Sequence, residues 1–469
     1  MNWNDRVEEI LFDPELDAMD YRTLLDGISR FSEEKKIPEG SRVLIRADID
    51  VPLNDEQTTV LDNERLASMA ETLEVCWNRR LTPVIFGHVG RDKENTARAV
   101  TGELQKLFSR KCVFIADWLD EQRGAVLDSA KAQLAAIQSG TIVLLEHTRR
   151  YDLERTLWKA SARDVGSLPV NLFEAARSTA KHIAEYYVFD ALASHNRDWS
   201  SVVVPGACKM LALGEYTFKE LAGPLGKIRQ AEIIVLGGLK IDKLDALEGI
   251  VARGRTKHIL CGGSIAMALA KAQGRRIGLA EDTSNRDKKW FITEDRANQA
   301  SRILDEASRL GVRITLPVDF VLNDGRISDE IPADRSQMDI GPKSREIFCK
   351  TIEDFLKHTS GRSALFINGS VGAFEKPEFS AGTAVLTRFV SGLKDNYRAV
   401  EIYVGGGDGR LAFTTYGDVG SVDHVFTCGG TVLKVLGTGN LNYLKSLWVY
   451  SHQLRSAQKS SSRPPASSG

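Results

Sequence analysis

Charged side chains and a histidine follow a series of short apolar runs in the first half of the chain. The set comprises Asp48, Asp50, Arg65, His88, Arg91, Arg149, Arg150 and Arg197. Guanidinium groups bind phosphate and carboxylate through two parallel hydrogen bonds, which suits them to anions with several oxygens. A single arginine is usually an exposed surface residue. Several that follow successive apolar runs predict a binding site for a small polyanion.

Glycines follow the apolar runs of the second half. They occur at 237–238, 262–263, 369 with 372, 405–407 and 429–430. Glycine lets backbone amides approach a polyphosphate, and the amino terminus of a following helix favours negative charge. Any one pair is equally consistent with a tight strand–helix turn, but five in succession favour a nucleotide. Neither GxxxxGK[ST] nor a clear GxGxxG occurs, so P-loop proteins and nicotinamide dehydrogenases are poor alternatives.

Two lysines and one aspartate next to these glycines suggest the chemistry. Lys240 and Lys243 follow the first glycine pair, where a lysine can neutralise charge on a phosphoryl group during transfer. Asp408 follows the triple glycine and is a candidate ligand for a Mg²⁺ ion that bridges phosphates. A polyanion site in one half and a nucleotide site in the other predict a small-molecule kinase. We expect transfer after a hinge closure that excludes water.

Short β-branched runs alternate with helix-like stretches from Ser41 onward, which predicts buried parallel strands with crossover helices. The runs lie at 43–45, 83–86, 113–115, 142–145 and 187–189, and then at 233–236, 258–260, 314–316, 364–367, 402–404 and 425–426. We predict two Rossmann-like α/β/α domains with parallel sheets, joined by a hinge helix. Ligands of such sheets bind beyond the carboxyl ends of the strands, where the side chains described above occur.

The predicted organisation has five parts. Residues 1–40 form an amino-terminal extension, 41–206 a domain for the acidic substrate, 207–222 the hinge helix, 223–445 the nucleotide-binding domain, and 446–469 a carboxyl-terminal segment with a disordered tail. The hinge lies between two Pro–Gly interruptions, at 205–206 and 223–224. The tail, from Ser456 onward, is rich in Ser, Pro and Ala.

Composition excludes several classes of protein. The 469 residues contain 62 Lys and Arg against 63 Asp and Glu, a net charge of -1, which gives no general attraction to nucleic acid. The apolar runs are far shorter than the roughly 18 residues of a membrane span, and the first residues lack the pattern of a signal peptide. The cysteines form no CxxC pair. We therefore expect a cytoplasmic protein without membrane or nucleic-acid partners. We also expect a monomer, although the composition does not bear on this.

Nine segments, in order along the chain, resemble motifs of phosphoglycerate kinase. They are 46–53 (RADIDVPL), 87–91 (GHVGR), 144–149 (LLEHTR), 237–240 (GGLK), 316–319 (LPVD), 339–342 (DIGP), 368–375 (NGSVGAFE), 405–408 (GGGD) and 427–430 (TCGG). The resemblance covers the chain from about Ser41 to Leu444. It implies reversible phosphoryl transfer between ATP and the carboxylate of 3-phosphoglycerate, with ATP or ADP and Mg²⁺ as cofactors.

The resemblance also implies a role for each matching residue. Asp48 and Asp50 would face the hydroxyl end of the glycerate, and the substrate's phosphate and nearby oxygens would be held by His88, Arg91, Arg149 and Arg197. Arg65 would bind the reacting carboxylate and stabilise the transition state. Lys240 and Lys243 would support the transferring phosphoryl group. The implied nucleotide-binding residues are Gly237, Gly238, Lys243, Asn368, Glu375 at the ribose, Gly405, Gly406, Gly407 and Asp408, the last also holding the metal.

Several positions depart from the family motifs. Asp50 replaces an asparagine, Asn196 and Trp199 replace histidines, Ser370 replaces a proline, Cys428 replaces a glycine, and Gln337 stands where a glycine is typical. The two lysines are one residue closer than usual, so the role of Lys243 assumes a single deletion. A carboxylate only accepts hydrogen bonds, whereas an amide also donates. Asp50 therefore suits an ammonium group or a second hydroxyl on the substrate.

Three interpretations follow from these departures. In the first, the acceptor is a phosphorylated or phosphonylated acid other than 3-phosphoglycerate. In the second, the chain is an ordinary glycolytic enzyme whose sequence has drifted. These two interpretations have comparable support. The alternative from another class is a catalytically weak paralogue that binds nucleotide and metabolites or serves as a scaffold. The retention of both Lys240 and Asp408 argues against that alternative, because a scaffold has no need of the pair.

Overall fold

The computed structural model describes residues 2–359 and 361–461, which divide into two compact units. The first unit contains the chain up to Gly223 together with the segment that begins at Asn440, and the second contains Pro224–Gly439. The residues predicted to form an amino-terminal extension and a carboxyl-terminal segment are thus parts of the first unit.

The first unit is built on a seven-stranded parallel sheet. Its strands in chain order, with a two-stranded hairpin (β5 and β6), are β1 (Ser29–Arg30), β2 (Arg42–Ala47), β3 (Thr82–Phe86), β4 (Cys112–Ile115), β5 (Leu119–Asp120), β6 (Ala125–Val126), β7 (Ile142–Leu145), β8 (Tyr186–Asp190) and β9 (Met210–Leu213). The order across the sheet is β1-β9-β8-β2-β3-β7-β4. Strand β2 is central, and Ile45 on it pairs with Ile85 on one side and Val188 on the other.

Helices connect these strands. They are α1 (Trp3–Phe12), α2 (Pro14–Ala18), α3 (Tyr21–Asp26), α4 (Glu64–Ser68), α5 (Ala70–Asn78), α6 (Arg98–Phe108), α7 (Asp128–Ala135), α8 (Val170–His182), α9 (Trp199–Val202) and α10 (Glu215–Ala222). Short 3-10 helices lie at Thr148–Arg150 and Asp152–Arg155 among other places. Val43, Leu44 and Ile45 are fully buried, as expected of a parallel strand that is covered on both faces.

The second unit has a six-stranded parallel sheet and a small antiparallel one. Its strands are β10 (Ile233–Leu236), β11 (His258–Cys261), β12 (Arg313–Thr315), β13 (Phe320–Leu322), β14 (Ile327–Ser328), β15 (Gln337–Ile340), β16 (Ser363–Asn368), β17 (Val400–Gly405) and β18 (His424–Phe426). The parallel sheet has the order β12-β11-β10-β16-β17-β18, and the antiparallel sheet has the order β14-β13-β15.

The helices of the second unit precede the last helix of the chain. They are α11 (Pro224–Ile228), α12 (Lys243–Ala252), α13 (Gly263–Ala272), α14 (Glu294–Leu310), α15 (Pro342–Lys357), α16 (Ala381–Ser391), α17 (Leu393–Asn396), α18 (Gly407–Tyr416) and α19 (Gly429–Thr438), followed in the first unit by α20 (Asn442–Ser461). The fold class predicted from sequence, two parallel α/β sheets with helices, is confirmed.

Two details of the prediction are wrong. The hinge helix predicted over 207–222 is instead the strand β9 followed by the helix α10, because Leu211, Ala212 and Leu213 are apolar enough to pair with β8 in the buried sheet. The disordered tail predicted from Ser456 is helical up to Ser461. The remaining tail, 462–469, lies outside the described residues.

Candidate functional site

The loop that follows β2 brings two carboxylates to one arginine. Arg65, on α4, has its Nη1 atom 3.7 Å from Asp48 Oδ1 and 3.5 Å from Asp50 Oδ2, and it donates a hydrogen bond to the Asp50 carbonyl at 2.7 Å. Ile49 and Val51 are buried in this loop, and the Val51 amide donates to the Ile49 carbonyl at 2.9 Å, which makes a tight turn at Asp50. Both carboxylates lie beside Arg65.

The next strand end adds His88 to this group. Arg46 Nη2 lies 2.9 Å from His88 Nδ1, and because a guanidinium only donates, Nδ1 must accept. The ring proton is then on Nε2, which lies 3.7 Å from Asp50 Oδ2. Burial lowers the pKa of His88, so the ring is neutral at pH 7.

Asp50 is held in its ionised form. The Gly90 amide donates to its Oδ1 at 2.7 Å. Burial alone would raise the pKa of Asp50, but the interaction with His88, the Gly90 amide and the charge of Arg65 together lower it well below its ordinary value. The first unit therefore carries an ionised carboxylate where the family motif has a neutral amide.

Arg46 is the centre of a buried network beneath these residues. It is fully buried, donates to Ser200 Oγ at 2.9 Å and to Ser194 Oγ at 3.0 Å, and lies 3.5 Å from Asp198 Oδ2. Burying a guanidinium is costly unless it is paired and hydrogen-bonded. These contacts meet that requirement, so we interpret Arg46 as a residue that positions His88.

Ligand atoms of His88, Glu154 and Asp198 lie within 4.8 Å of one another, but this cluster does not resemble a metal site. His88 Nδ1 is taken by Arg46. Glu154 accepts three hydrogen bonds, from Thr148 and twice from Ser200. Burial and the neighbouring Asp198 raise the pKa of Glu154 to about 7. The donors occupy the oxygens that a cation would need.

Arg149 also lies in this group, beneath a tryptophan that the sequence did not suggest. Its Nη1 donates to the Gly90 carbonyl at 2.6 Å, and its guanidinium is 5.0 Å from the ring centre of Trp158. Trp158 Nε1 in turn donates to Asp198 Oδ1 at 2.8 Å. Arg91 is exposed beside them. Arg149 is thus linked to Asp50 through Gly90, and the binding of one anion by Arg149 and Arg91 stays a prediction.

Arg197 has different surroundings. It donates to the Ala160 carbonyl at 3.0 Å, and its guanidinium is 4.9 Å from the ring centre of Phe12, the last residue of α1. The departure at Trp199 is structural, because Trp199 is buried and donates to the Leu172 carbonyl at 2.8 Å. The structure thus brings together Asp48, Asp50, Arg65, His88 and Arg149, while Arg197 contacts the amino-terminal segment.

The strand ends of the second unit converge closely. A side chain at Gly237 would meet the Ser370 carbonyl oxygen at 2.0 Å, so only glycine allows this approach of two loops. Asn368, at the end of β16, donates to the Gly405 carbonyl at 3.2 Å at the end of β17. Gly406 has a φ of 83° and precedes α18. The predicted Gly405, Gly406 and Gly407 therefore form a strand–helix turn, in which the Gly406 amide donates to the Phe426 carbonyl and Gly407 is exposed at the start of α18.

Lys243 lies at the start of α12 among these glycines. Its Nζ donates to the Gly237 carbonyl at 2.6 Å. Burial lowers its pKa to about 8, with a further contribution from the charge of Lys240, while Asp408 acts in the opposite direction. A buried lysine at a helix start is suited to bind a phosphoryl group, whose negative charge favours the protonated form. Lys240 itself is exposed.

A cavity of about 380 Å³ opens beside Lys243 and is contained within the second unit. Gly238, Glu375 and Asp408 line it, as the sequence predicts for nucleotide-binding residues. Its apolar part includes Trp290 and Met267, and a tryptophan ring can stack on a base. Asp408 is exposed in the first turn of α18. Because the Asp408 carboxylate is not buried in the fold, it is accessible to a Mg²⁺ ion and is a suitable ligand.

Four residues that matter at these sites were missed or underrated in the sequence. The position of Arg46 inside an apolar run indicates a buried charge that needs partners. The position of Asp198 beside Arg197 is a weaker indication of a functional residue. Trp158 and Trp290 lie in irregular segments without periodicity, so only the folded chain connects them with Arg149 and with the cavity.

Two parallel α/β units, one with arginines and carboxylates at its strand ends and one with a glycine-lined cavity and a lysine, are typical of a two-domain small-molecule kinase. The chain matches the family model for phosphoglycerate kinase over residues 35–439. It therefore belongs to the phosphoglycerate kinase family, whose members are phosphotransferases with a carboxyl group as acceptor.

Relatives and solved structures agree with this assignment. Phosphoglycerate kinases of Staphylococcus aureus strains JH9 and Newman are each 28% identical to the chain over 428 residues, which covers 87% of this chain and 96% of theirs. The fold is similar to the phosphoglycerate kinase of Coxiella burnetii (TM-score 0.65, 23% identity, 90% of this chain and 98% of that one). It is also similar to that of Pyrococcus horikoshii OT3 (TM-score 0.70, 22% identity, 91% and 100%). Among the described residues, no helix is long and apolar enough to span a membrane.

Proposed function

We propose that the chain is a carboxylate kinase of the phosphoglycerate kinase type, which transfers the γ-phosphoryl group of ATP reversibly to the carboxylate of a phosphorylated or phosphonylated acid. A carboxylate oxygen attacks the γ-phosphorus, the bond from that phosphorus to the β–γ bridging oxygen breaks, and ADP and an acyl phosphate result. The observation that carries this proposal is that one chain combines the Arg65–Asp48–Asp50–His88 group with Lys243 at the nucleotide cavity.

The proposed roles require no covalent intermediate and no strong general base. A carboxylate is already ionised at pH 7, so binding and charge neutralisation can lower the barrier. Arg65 binds the reacting carboxylate, while Arg149 and Arg91 bind the distal phosphate or phosphonate. Lys243 stabilises the phosphoryl group in transfer. We also propose that transfer follows a hinge closure that excludes water from both ligands.

The nucleotide occupies the cavity of the second unit in this proposal. Trp290 and Met267 contact the base, Glu375 the ribose, and the amides that follow Gly406 the phosphates. Asp408 would hold Mg²⁺, which when bound neutralises charge on the phosphates. The exposed position of Asp408 at a helix amino terminus supports this role.

The test is a coupled assay of ATP consumption with a panel of phosphorylated and phosphonylated carboxylic acids, combined with hydroxylamine trapping of the acyl phosphate. We expect at least one acid to give a hydroxamate in proportion to the ADP formed. Arg65→Lys and Lys243→Met should each reduce hydroxamate formation. Lys350→Met, on the exposed face of α15, is the control and should not. ADP formation without hydroxamate for every acid would contradict the proposal.

A second candidate function is a nucleotide-binding paralogue with weak catalysis. One observation favours it: Arg197, a predicted phosphate ligand, contacts Ala160 and Phe12. If Arg197 keeps these contacts when ligand is bound, it does not bind the distal phosphate, and the phosphate site has one guanidinium fewer than predicted. ATP binding by calorimetry without turnover of any acid in the panel would support this alternative.

A further inference from the structure

The two carboxylates at Arg65 form a group with surplus negative charge. Asp48 and Asp50 share the same Nη1 atom of Arg65, at 3.7 and 3.5 Å. His88, also beside Asp50, contributes no positive charge, because its Nδ1 accepts from Arg46. The next cation, Arg149, donates to the Gly90 carbonyl and is proposed to bind the distal phosphate. The two carboxylates and the one guanidinium within 4 Å of them therefore leave one negative charge unbalanced at the place proposed for the reacting end of the substrate.

A second observation points to a missing donor. Asp48 is 3% exposed, and its buried Oδ1 receives no hydrogen bond from any part of the chain that the structure describes. A buried carboxylate oxygen without a donor is costly. The guanidinium of Arg65 at 3.7 Å is too distant for a hydrogen bond. A donor that carries positive charge would satisfy this oxygen and neutralise the group.

We propose that the acid phosphorylated by this chain is a phosphorylated or phosphonylated α-amino acid, whose ammonium group binds between Asp48 and Asp50 while Arg65 binds the carboxylate. This inference rests on the proposed function and names its substrate class. In an α-amino acid the ammonium and carboxylate are attached to one carbon, so neighbouring acidic and basic side chains complement them. A hydroxy acid offers one neutral hydroxyl in the same place and leaves the negative charge unpaired.

The experiment compares two acids that differ in one group. 3-Phosphoglycerate has a hydroxyl and O-phosphoserine an amino group on the carbon next to the carboxylate. Both enantiomers of O-phosphoserine are tested, by kcat/KM in the coupled assay and by calorimetric binding to the full-length protein. Hydrogen bonds between charged groups favour the amino acid by roughly 10- to 100-fold. We expect a preference of this size in both measurements for at least one enantiomer.

Asp50→Asn and Asp55→Asn form a matched pair of variants. Each removes one negative charge, but Asp55 is exposed on the loop beyond the site. We expect Asp50→Asn to reduce the preference for the amino acid at least tenfold and Asp55→Asn to leave it unchanged. Near-ultraviolet circular dichroism and ATP affinity verify that each variant is folded. Should Asp50→Asn fail to fold, the wild-type preference itself decides the matter.

The outcomes separate this inference from the proposed function. If 3-phosphoglycerate is turned over as well as O-phosphoserine or better, the ammonium inference is wrong and the carboxylate kinase stands. The inference also fails if the preference is equal in Asp50→Asn and wild type. If neither acid binds or reacts and the panel yields a hydroxamate only from acids that lack an α-amino group, the kinase again stands and the inference fails. If no acid does, both fail.

Discussion

Lys243 should impose a pH limit on catalysis near its unusual pKa. Burial, together with the charge of Lys240, lowers this pKa from 10.5 to about 8. If transfer requires the protonated form, about nine tenths of the free enzyme is competent at pH 7, and about one tenth at pH 9. The kcat/KM for ATP should therefore fall about tenfold per pH unit above 8. Because this profile reports the free enzyme, anionic phosphates that raise the pKa when bound should shift the limit of kcat upward.

The same pKa has a consequence for stability, with a definite sign. The unfolded chain holds the proton of Lys243 up to pH 10.5, whereas the folded chain releases it near 8, so burial of the charged form costs stability below pH 8. The difference corresponds to roughly 3 kcal/mol. Lys243→Met should then raise the free energy of unfolding at pH 7 by about 1–3 kcal/mol, allowing for the lost bond to Gly237. This gain should disappear between pH 8 and 10.5 as the wild-type penalty is relieved.

Two measurements give the pKa of Lys243. The pH profile of kcat/KM gives the apparent pKa, and NMR of reductively methylated lysines gives it directly, with the Lys243→Arg spectrum used to assign the signal. Lys240→Met should raise the pKa of Lys243, because it removes a like charge, whereas Lys350→Met should not. A basic limit near 10.5, or a Lys243→Met variant that is less stable than wild type at pH 7, would refute the argument.

Three further predictions concern single residues. Arg46→Met should lower the free energy of unfolding by about 3–5 kcal/mol in urea titrations, because it leaves Asp198 buried without its cation; an effect under 1 kcal/mol would contradict the network. Trp290→Ala should weaken ADP binding about tenfold, from loss of stacking, and ADP should quench the wild-type tryptophan fluorescence; equal affinity would exclude the base from this position. Burial raises the pKa of Asp190 to about 6, so wild-type stability should fall as pH rises from 4 to 6, and Asp190→Asn should flatten that slope in pH-dependent melts.

The sequence predicted the strands of both parallel sheets well, because strands covered on both faces are continuous short apolar runs. Residues 43–45 and 233–236, for example, are the buried centres of β2 and β10. The same criterion failed at β9. Its apolar run, 210–213, lies inside a stretch bounded by glycines that also suits a helix, and such short runs are ambiguous by periodicity alone. The antiparallel strands β13 to β15 were not predicted either, since two to four residues carry too little pattern.

The site was predicted to the extent that it depends on strand ends. Asp48, Asp50 and His88 follow neighbouring strands, and parallel topology alone makes them meet. Arg197 also follows a strand, yet its guanidinium contacts Phe12, because the helix α1 packs in the same unit. Residues 1–40 were predicted to be an extension, because no pattern in them indicates that Phe12 packs against Arg197. Contacts between segments far apart in the chain require the folded structure.

One buried contact links the family resemblance to the substrate question. Arg46 can only donate, so it forces His88 to present its single proton toward Asp50 and leaves the ring neutral. Without that contact, a protonated His88 could neutralise the extra carboxylate, and Asp50 would be equivalent in charge to the asparagine of the family motif. With it, the charge at Asp50 remains for a ligand to balance. The effect of Asp50, which follows β2, therefore depends on Arg46 inside the same strand, acting through His88 at the end of β3. Membership of the family leaves the identity of the acid open, and the group around Arg65 restricts it.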